Sequence, residues 1–167
     1  AFRVDMNPTD GFEVAKQLAT IAQEEAYDLI IAGRESIDYN GGMVPGMLAE
    51  LIGANFVNNC IKLTVEDNQI SAEREIDGGK EILSTSFPLV IGGQKGLVEE
   101  SDLRIPNMRG IMMARQKPLE VKEAIQTEVK TTTNKFEKPA PKGAVTMVDK
   151  DNLDELIKLL HNEAKVI

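Results

Sequence analysis

Between Asp28 and Gly53 three unlike stretches follow one another: the apolar run DLIIAG, a loop with adjacent glycines at Gly41 and Gly42, and a helical stretch opened by Pro45. An apolar run closed by a turn and followed by a helix is the repeating unit of a parallel α/β sheet. Pro45 suits the first turn of a helix, where its missing N–H has no bond to lose, and Gly53 suits the residue just past the end. The spacing predicts a helix from Pro45 to Ile52. Upstream, Asp10 followed by Glu13 is a capping box, and Phe12, Ala15, Leu18, Ala19 and Ala22 recur at helical spacing. They predict an amphipathic helix over residues 11–25, and FRVDM before it reads as an earlier strand.

Beyond Gly53 the period changes to two. Ile61, Leu63 and Val65 alternate, and QISAEREI and KEILSTSF follow, with Asn68 and Asp77-Gly78-Gly79 at the turns. This is the pattern of an antiparallel meander. After Pro88 the run LVIGG reads as a return to a buried strand. From Leu119 to Gly143 the chain loses any sustained apolar pattern and reads as a linker or arm. Leu153, Leu156, Ile157, Leu160 and Ala164 then form one stripe behind an Asn152 cap with Glu155 three residues on, a C-terminal helix.

At 167 residues the chain holds one ordinary domain plus an appendage, and 42% apolar residues agree with a soluble globular class. No run approaches the ~18 apolar residues of a membrane span, and the N-terminus lacks a leader pattern, so the expectation is a cytoplasmic protein without membrane insertion. A first residue of Ala reads as processing or trimming. Cys60 and His161 are the lone residues of their kinds and make no metal pattern; Cys60 reads as a core residue and His161 as a rim residue. A net charge of −8 excludes a general nucleic-acid binder. No carboxylate pair or triad argues for catalysis.

A loop leaving the carboxyl end of a parallel strand is where α/β sheets bind ligands, and helix-terminal N–H groups there favour anions. The glycine loop is neither GxGxxG nor a P-loop, so the residues alone leave a nucleotide site and a plain turn both open. RIPNMRGIMMARQK carries Arg104, Arg109, Arg115 and Lys117 with no acidic residue. It reads either as a helix with Met108, Ile111 and Met112 inward, or as a docking patch for an acidic partner.

Three blocks together resemble the β subunit of electron transfer flavoproteins: DLIIAGRESID, the signature-like AEREIDGGKEILSTSFPLVIGG, and LRIPNMRGIMMARQKP, with VDKDNLDELIKLLHNEAKVI also similar. The resemblance implies an α/β heterodimer that carries electrons from acyl-CoA or other flavin dehydrogenases to a membrane quinone oxidoreductase, as in fatty acid oxidation. It implies a redox FAD mainly in the α subunit, and AMP or a second FAD in the β subunit, whose late arm wraps its partner. Carried onto this sequence, nucleotide binding falls on Gly33, Arg34, Asp38, Asn40, Gly41, Gly42, Met43, Val44 and Gly46. Partner docking falls on Met108, at the recognition position, with Arg109, Ile111, Met112, Arg115 and Phe136.

The implied fold is a partial Rossmann-like parallel sheet with an antiparallel meander, then an extended arm and a C-terminal helix. The expected divisions are residues 1–118, 119–143 and 144–167. This chain departs from the family at Met43, where Gln is common, at Pro45-Gly46, where the order is reversed, and at Gly92, where a small polar residue or alanine is usual. Members begin with a further strand–helix–strand region, so the chain reads as a fragment lacking it. Two rivals stand beside the carrier subunit: an adenine-nucleotide sensor without a redox role, and an interaction module with an empty loop.

Overall fold

The computed structural model describes residues 1–7, 10–37, 40–67 and 69–167. The chain divides into two compact units, residues 1–133 and 134–167. In the first, strand β1 (Phe2–Asp5) leads to helix α1 (Gly11–Glu25), β2 (Leu29–Gly33) and α2 (Val44–Ile52). The long β3 (Asn55–Glu66), β4 (Gln69–Ile76) and β5 (Gly79–Thr85) follow, then β6 (Leu89–Gly93), the short α3 (Met108–Ala114) and β7 (Glu120–Glu123). In the second unit α4 (Leu153–Lys158) runs into a wider π-type turn over Leu159–Ala164.

The main sheet has the order β2-β6-β3-β4-β5. β6 pairs in parallel with β2 on one side and β3 on the other, and β3, β4 and β5 form the antiparallel meander read from the period-two pattern. Gly78, at a φ of +84°, supplies the left-handed backbone of the β4–β5 turn; the Asn68 turn lies outside the described residues. Because successive side chains of a strand point to opposite faces, β6 serves two cores at once. Leu89 and Ile91 join Val57, Cys60, Ile70 and Ala72 on one face, while Val90 joins Ala19, Ala22, Leu48 and Ala49 of α1 and α2 on the other. This explains why LVIGG is continuously apolar and buried from Leu89 to Gly92. Burial pushes the Cys60 thiol above its usual range, and its Sγ donates to the Lys62 carbonyl at 3.4 Å, as befits a core residue.

Both predicted helices of the first unit form at their predicted places. Asp10 Oδ1 accepts from the Glu13 N–H at 2.8 Å, and the Glu13 carboxylate reaches back to the Asp10 N–H. The placement of FRVDM differs from the simplest strand–helix–strand expectation. β1 lies in a two-stranded parallel sheet with β7, in the register Phe2 to Glu120 through Asp5 to Glu123, and not in the sheet that contains β2.

β7 arises inside the stretch read as an arm. The residues that follow it are held by side chains of α1. The Gln17 amide donates to the Ile125 carbonyl at 2.8 Å and accepts from the Ile125 N–H at 2.9 Å, imitating a neighbouring strand. Asp10 Oδ2 accepts from the N–H groups of Lys130 and Thr131 at 2.6 and 2.8 Å. Lys122 pairs with Glu24 at 2.5 Å and lies 5.0 Å from the centre of the Phe2 ring; the Glu24 bond raises its pKa. No helix among the described residues is long and apolar enough to cross a membrane.

Candidate functional site

β2 ends at Gly33, and the Arg34 N–H still bonds to the Gly93 carbonyl of β6 at 3.1 Å. The chain then turns back on itself: the Ser36 N–H donates to the Gly41 carbonyl at 3.0 Å. Asn40 makes the return in the left-handed region, with a φ of +52°, where Asn is among the better-tolerated residues. Gly42 passes close to Arg34: a Cβ there would lie 3.3 Å from the Arg34 carbonyl oxygen. At Gly41 a Cβ would meet nothing within 4 Å, so this part of the loop faces open space. Asp38 lies outside the described residues.

The loop enters α2 through Met43, whose side chain makes no capping bond. Val44 and Pro45 fill the first two helical positions, and the Met47 N–H is the one that bonds back to the Met43 carbonyl, at 3.0 Å. Pro45 has no N–H, which leaves Val44 and Gly46 as the first-turn donors that the helix geometry itself cannot use. The Gly46 α-carbon has a second duty. A Cβ there would lie 3.2 Å from the Phe56 ring, so Gly46 also lets α2 pack on β3. Val44 sits beside the start of α1, 3.5 Å from where a Gly11 Cβ would be, so the two helices begin next to each other.

Arg34 is half-buried and already partnered. Its Nη2 donates to Glu35 Oε1 at 2.7 Å and its Nη1 to Gln94 Oε1 at 3.2 Å. It borders a cavity of about 480 Å³ with Asn59, Arg74, Asp77, Gly78 and Gln94, at the carboxyl ends of β2 and β6. A larger cavity of about 570 Å³, lined by Asn55, Thr64, Ser71, Ser84 and Ser86, lies between the first residue of β3 and the end of the meander where β3 closes, β4 opens and β5 closes. The smaller one is the better placed, since open α/β sheets bind ligands outside the carboxyl ends of their parallel strands. The sequence singled out Arg34 but not Gln94 or Asn59. The signal for Gln94 was its position directly after the neighbouring parallel strand.

The basic segment forms α3, capped by Asn107 Oδ1 on the Gly110 N–H at 2.8 Å. Of its two readings, the inward one is not what the chain adopts: Met108 is 74% exposed, Met112 58% and Ile111 42%, and Arg109 and Arg115 are exposed with them. Phe136, in the second unit, is 79% exposed. His161 is exposed, with Nδ1 2.9 Å from the Ile167 oxygen, and no group of metal-ligating side chains occurs among the described residues.

A strand, an uncapped helix and a loop of this geometry occur in many α/β proteins, but a family comparison decides between them. The family model described as the electron transfer flavoprotein domain matches residues 4–127. The chain belongs to the electron transfer flavoprotein family. It is 32% identical over 173 residues to the electron transfer flavoprotein subunit beta of Bacillus subtilis, covering 98% of this chain and 66% of that one. The subunit beta of Mycobacterium tuberculosis is 37% identical over 111 residues, covering 66% of this chain and 40% of its own. The mitochondrial subunit beta of Arabidopsis thaliana is 31% identical over 159 residues, covering 92% and 62%. The chain thus spans at most about two thirds of the length of these relatives. The family match takes in the glycine loop, α3 and β7 together.

Proposed function

We propose that the chain acts as the β side of a heterodimeric electron transfer flavoprotein, a carrier subunit that holds a nucleotide and docks flavin dehydrogenases. The observation that carries this reading is the start of α2: a helix end without a side-chain cap, entered from a glycine loop at the carboxyl end of a parallel strand. Anions are favoured there because first-turn N–H groups point outward and the helix dipole is positive at that end. The residues present fit the phosphate of AMP or FAD through the backbone N–H groups of Val44 and Gly46 and the open space at Gly41. Met43 and Val44 bring no side-chain donor, so the backbone does the binding. AMP would supply only charge and an adenine ring, whereas redox chemistry is supplied by FAD, which the proposal assigns mainly to an α subunit.

Docking would use α3 and its flanks, where Met108, Ile111 and Met112 offer flexible apolar contact and Arg109 and Arg115 steer an acidic partner. Phe136, exposed in the second unit, would anchor to the α subunit.

Absorbance of the copurified complex tests the nucleotide part of the proposal. Flavin bands together with AMP or a second FAD released on denaturation are expected; a flavin-free protein with no adenine absorbance would sink the carrier reading, and adenine alone would favour the nucleotide sensor. For docking, Arg109→Glu with Arg115→Glu should slow electron delivery from an acidic dehydrogenase and flatten its salt dependence, by roughly tenfold in rate at low ionic strength. Unchanged kinetics there would reduce the patch to a solvated face.

A further inference from the structure

Three charged or amide side chains join the carboxyl end of β2 to the meander across the end of β6. Arg34, the first residue of the loop, donates through Nη1 to Gln94 Oε1 at 3.2 Å. Gln94 donates through Nε2 to Glu75 Oε2 on β4. The Gln94 backbone is fixed as well, because its N–H bonds to the Cys60 carbonyl at 2.9 Å. That carbonyl lies just past an irregularity in β3, where the pairing with β6 shifts between Val57 and Cys60 and Asn59 takes a left-handed φ of +53°. Asn59 Nδ2 in turn lies 3.5 Å from the Glu75 carbonyl.

The chemistry of this chain of contacts is directional. A guanidinium only donates and an ionised carboxylate only accepts, so the amide between them can satisfy both in one orientation alone, oxygen to Arg34 and nitrogen to Glu75. A carboxylate in its place would suit Arg34 but repel Glu75. An alkyl chain would satisfy neither. Arg34 matters to the loop through its carbonyl oxygen as well as its charge, since Gly42 returns against that oxygen.

We propose that Gln94 is a positioning residue for the candidate nucleotide loop. It holds Arg34 from the meander, so that the β4–β5 hairpin sets the conformation in which the loop presents Gly41, Gly42 and the start of α2. The inference rests on the proposed nucleotide role for its consequence in binding, but not for its structural content.

The test uses the full-length β chain in complex with its α partner, AMP as the probe, and hydrogen exchange at the Ser36 amide, whose bond to Gly41 closes the loop. Gln94→Glu should weaken AMP binding about fivefold, the effect of one hydrogen bond to a charged group at a half-exposed site, and should speed Ser36 exchange. Exchange at Val90, in the core, should not change. Adding Glu75→Gln to Gln94→Glu should restore both readouts, because the amide and the carboxylate have then traded places. Should Gln94→Glu fail to fold, Gln94→Asn, which is neutral but too short to reach both partners, carries the same expectation. If Ser36 exchange is unchanged, or if the double variant restores neither readout, the proposal is overturned. If the unaltered protein binds neither AMP nor FAD at this loop, the nucleotide reading fails, and Ser36 exchange alone decides whether Gln94 positions the loop.

Discussion

Two helices begin side by side in this molecule and treat their first turns in opposite ways. α1 closes its own end: Asp10 takes the Glu13 N–H, Glu13 takes the Asp10 N–H, and the second Asp10 oxygen binds the backbone at Lys130 and Thr131. α2 starts at Met43 with no side-chain bond, with Pro45 in its first turn and a glycine loop before it. A capped end is worth about 0.5–2 kcal/mol to a helix, so a helix end without one forgoes stability of that order. The difference between the neighbours separates a helix end closed by side chains that also hold the chain together from one without a side-chain cap, the end at which the proposed phosphate would bind.

The sharpest way to break this contrast is to give the start of α2 a carboxylate like that of α1. The helical backbone of Met43 does not aim its side chain at the first-turn N–H groups as the extended Asp10 does, so Met43→Asp should act through the helix dipole and stabilise the protein by about 0.3–1 kcal/mol in thermal unfolding. The same carboxylate should repel a phosphate and lower AMP affinity tenfold or more, while Met43→Ala should do little to either. Equal effects on AMP from the two substitutions would show that the phosphate does not sit at this helix end. Next in size is the reverse operation: Asp10→Ala should cost about 1 kcal/mol and free the Lys130 and Thr131 amides, seen as faster hydrogen exchange there with Ile125 unaffected. Slow exchange at both residues in the variant would mean that Asp10 is not what holds them.

The smallest effect is with pH. The Glu13 N–H bond, helped by those from Thr131 and Lys130, holds the Asp10 carboxyl below its ordinary range. A depressed folded-state pKa means that the contribution is present above the unfolded carboxylate pKa and is lost as pH falls through the folded one. The Lys130 and Thr131 amide shifts should therefore titrate together in acid, below the range of an unperturbed aspartate. Their failure to move with Asp10 would uncouple the cap from the segment it binds.

These contrasts also mark what could be read from residues alone. The capping box at Asp10, the Pro45 and Gly53 limits of α2, and the period-two meander were legible because each is a local pattern with one physical solution. β7 was not. Glu120–Glu123 carries no apolar alternation, and its neighbour β1 and the Gln17 amide that holds Ile125 lie more than a hundred residues earlier. The inward reading of Met108, Ile111 and Met112 failed for a related reason: helical spacing predicts a shared face but not whether anything covers it. At the candidate site, the glycines stood out by type, and Arg34 came in with the family resemblance. The pairing of Arg34 with Gln94 depends on which strand lies beside β2, and no local pattern gives that.

The same neighbour relation bears on how the chain comes together during synthesis. β2 and β3 are joined within the sheet only through β6, which is made after both, and β6 also carries residues that fill the cores on either side. Until Gly93 has left the ribosome, the first helical half and the meander share no strand, however well each is formed. The last short apolar run of the domain is therefore the piece that turns two nascent parts into one sheet.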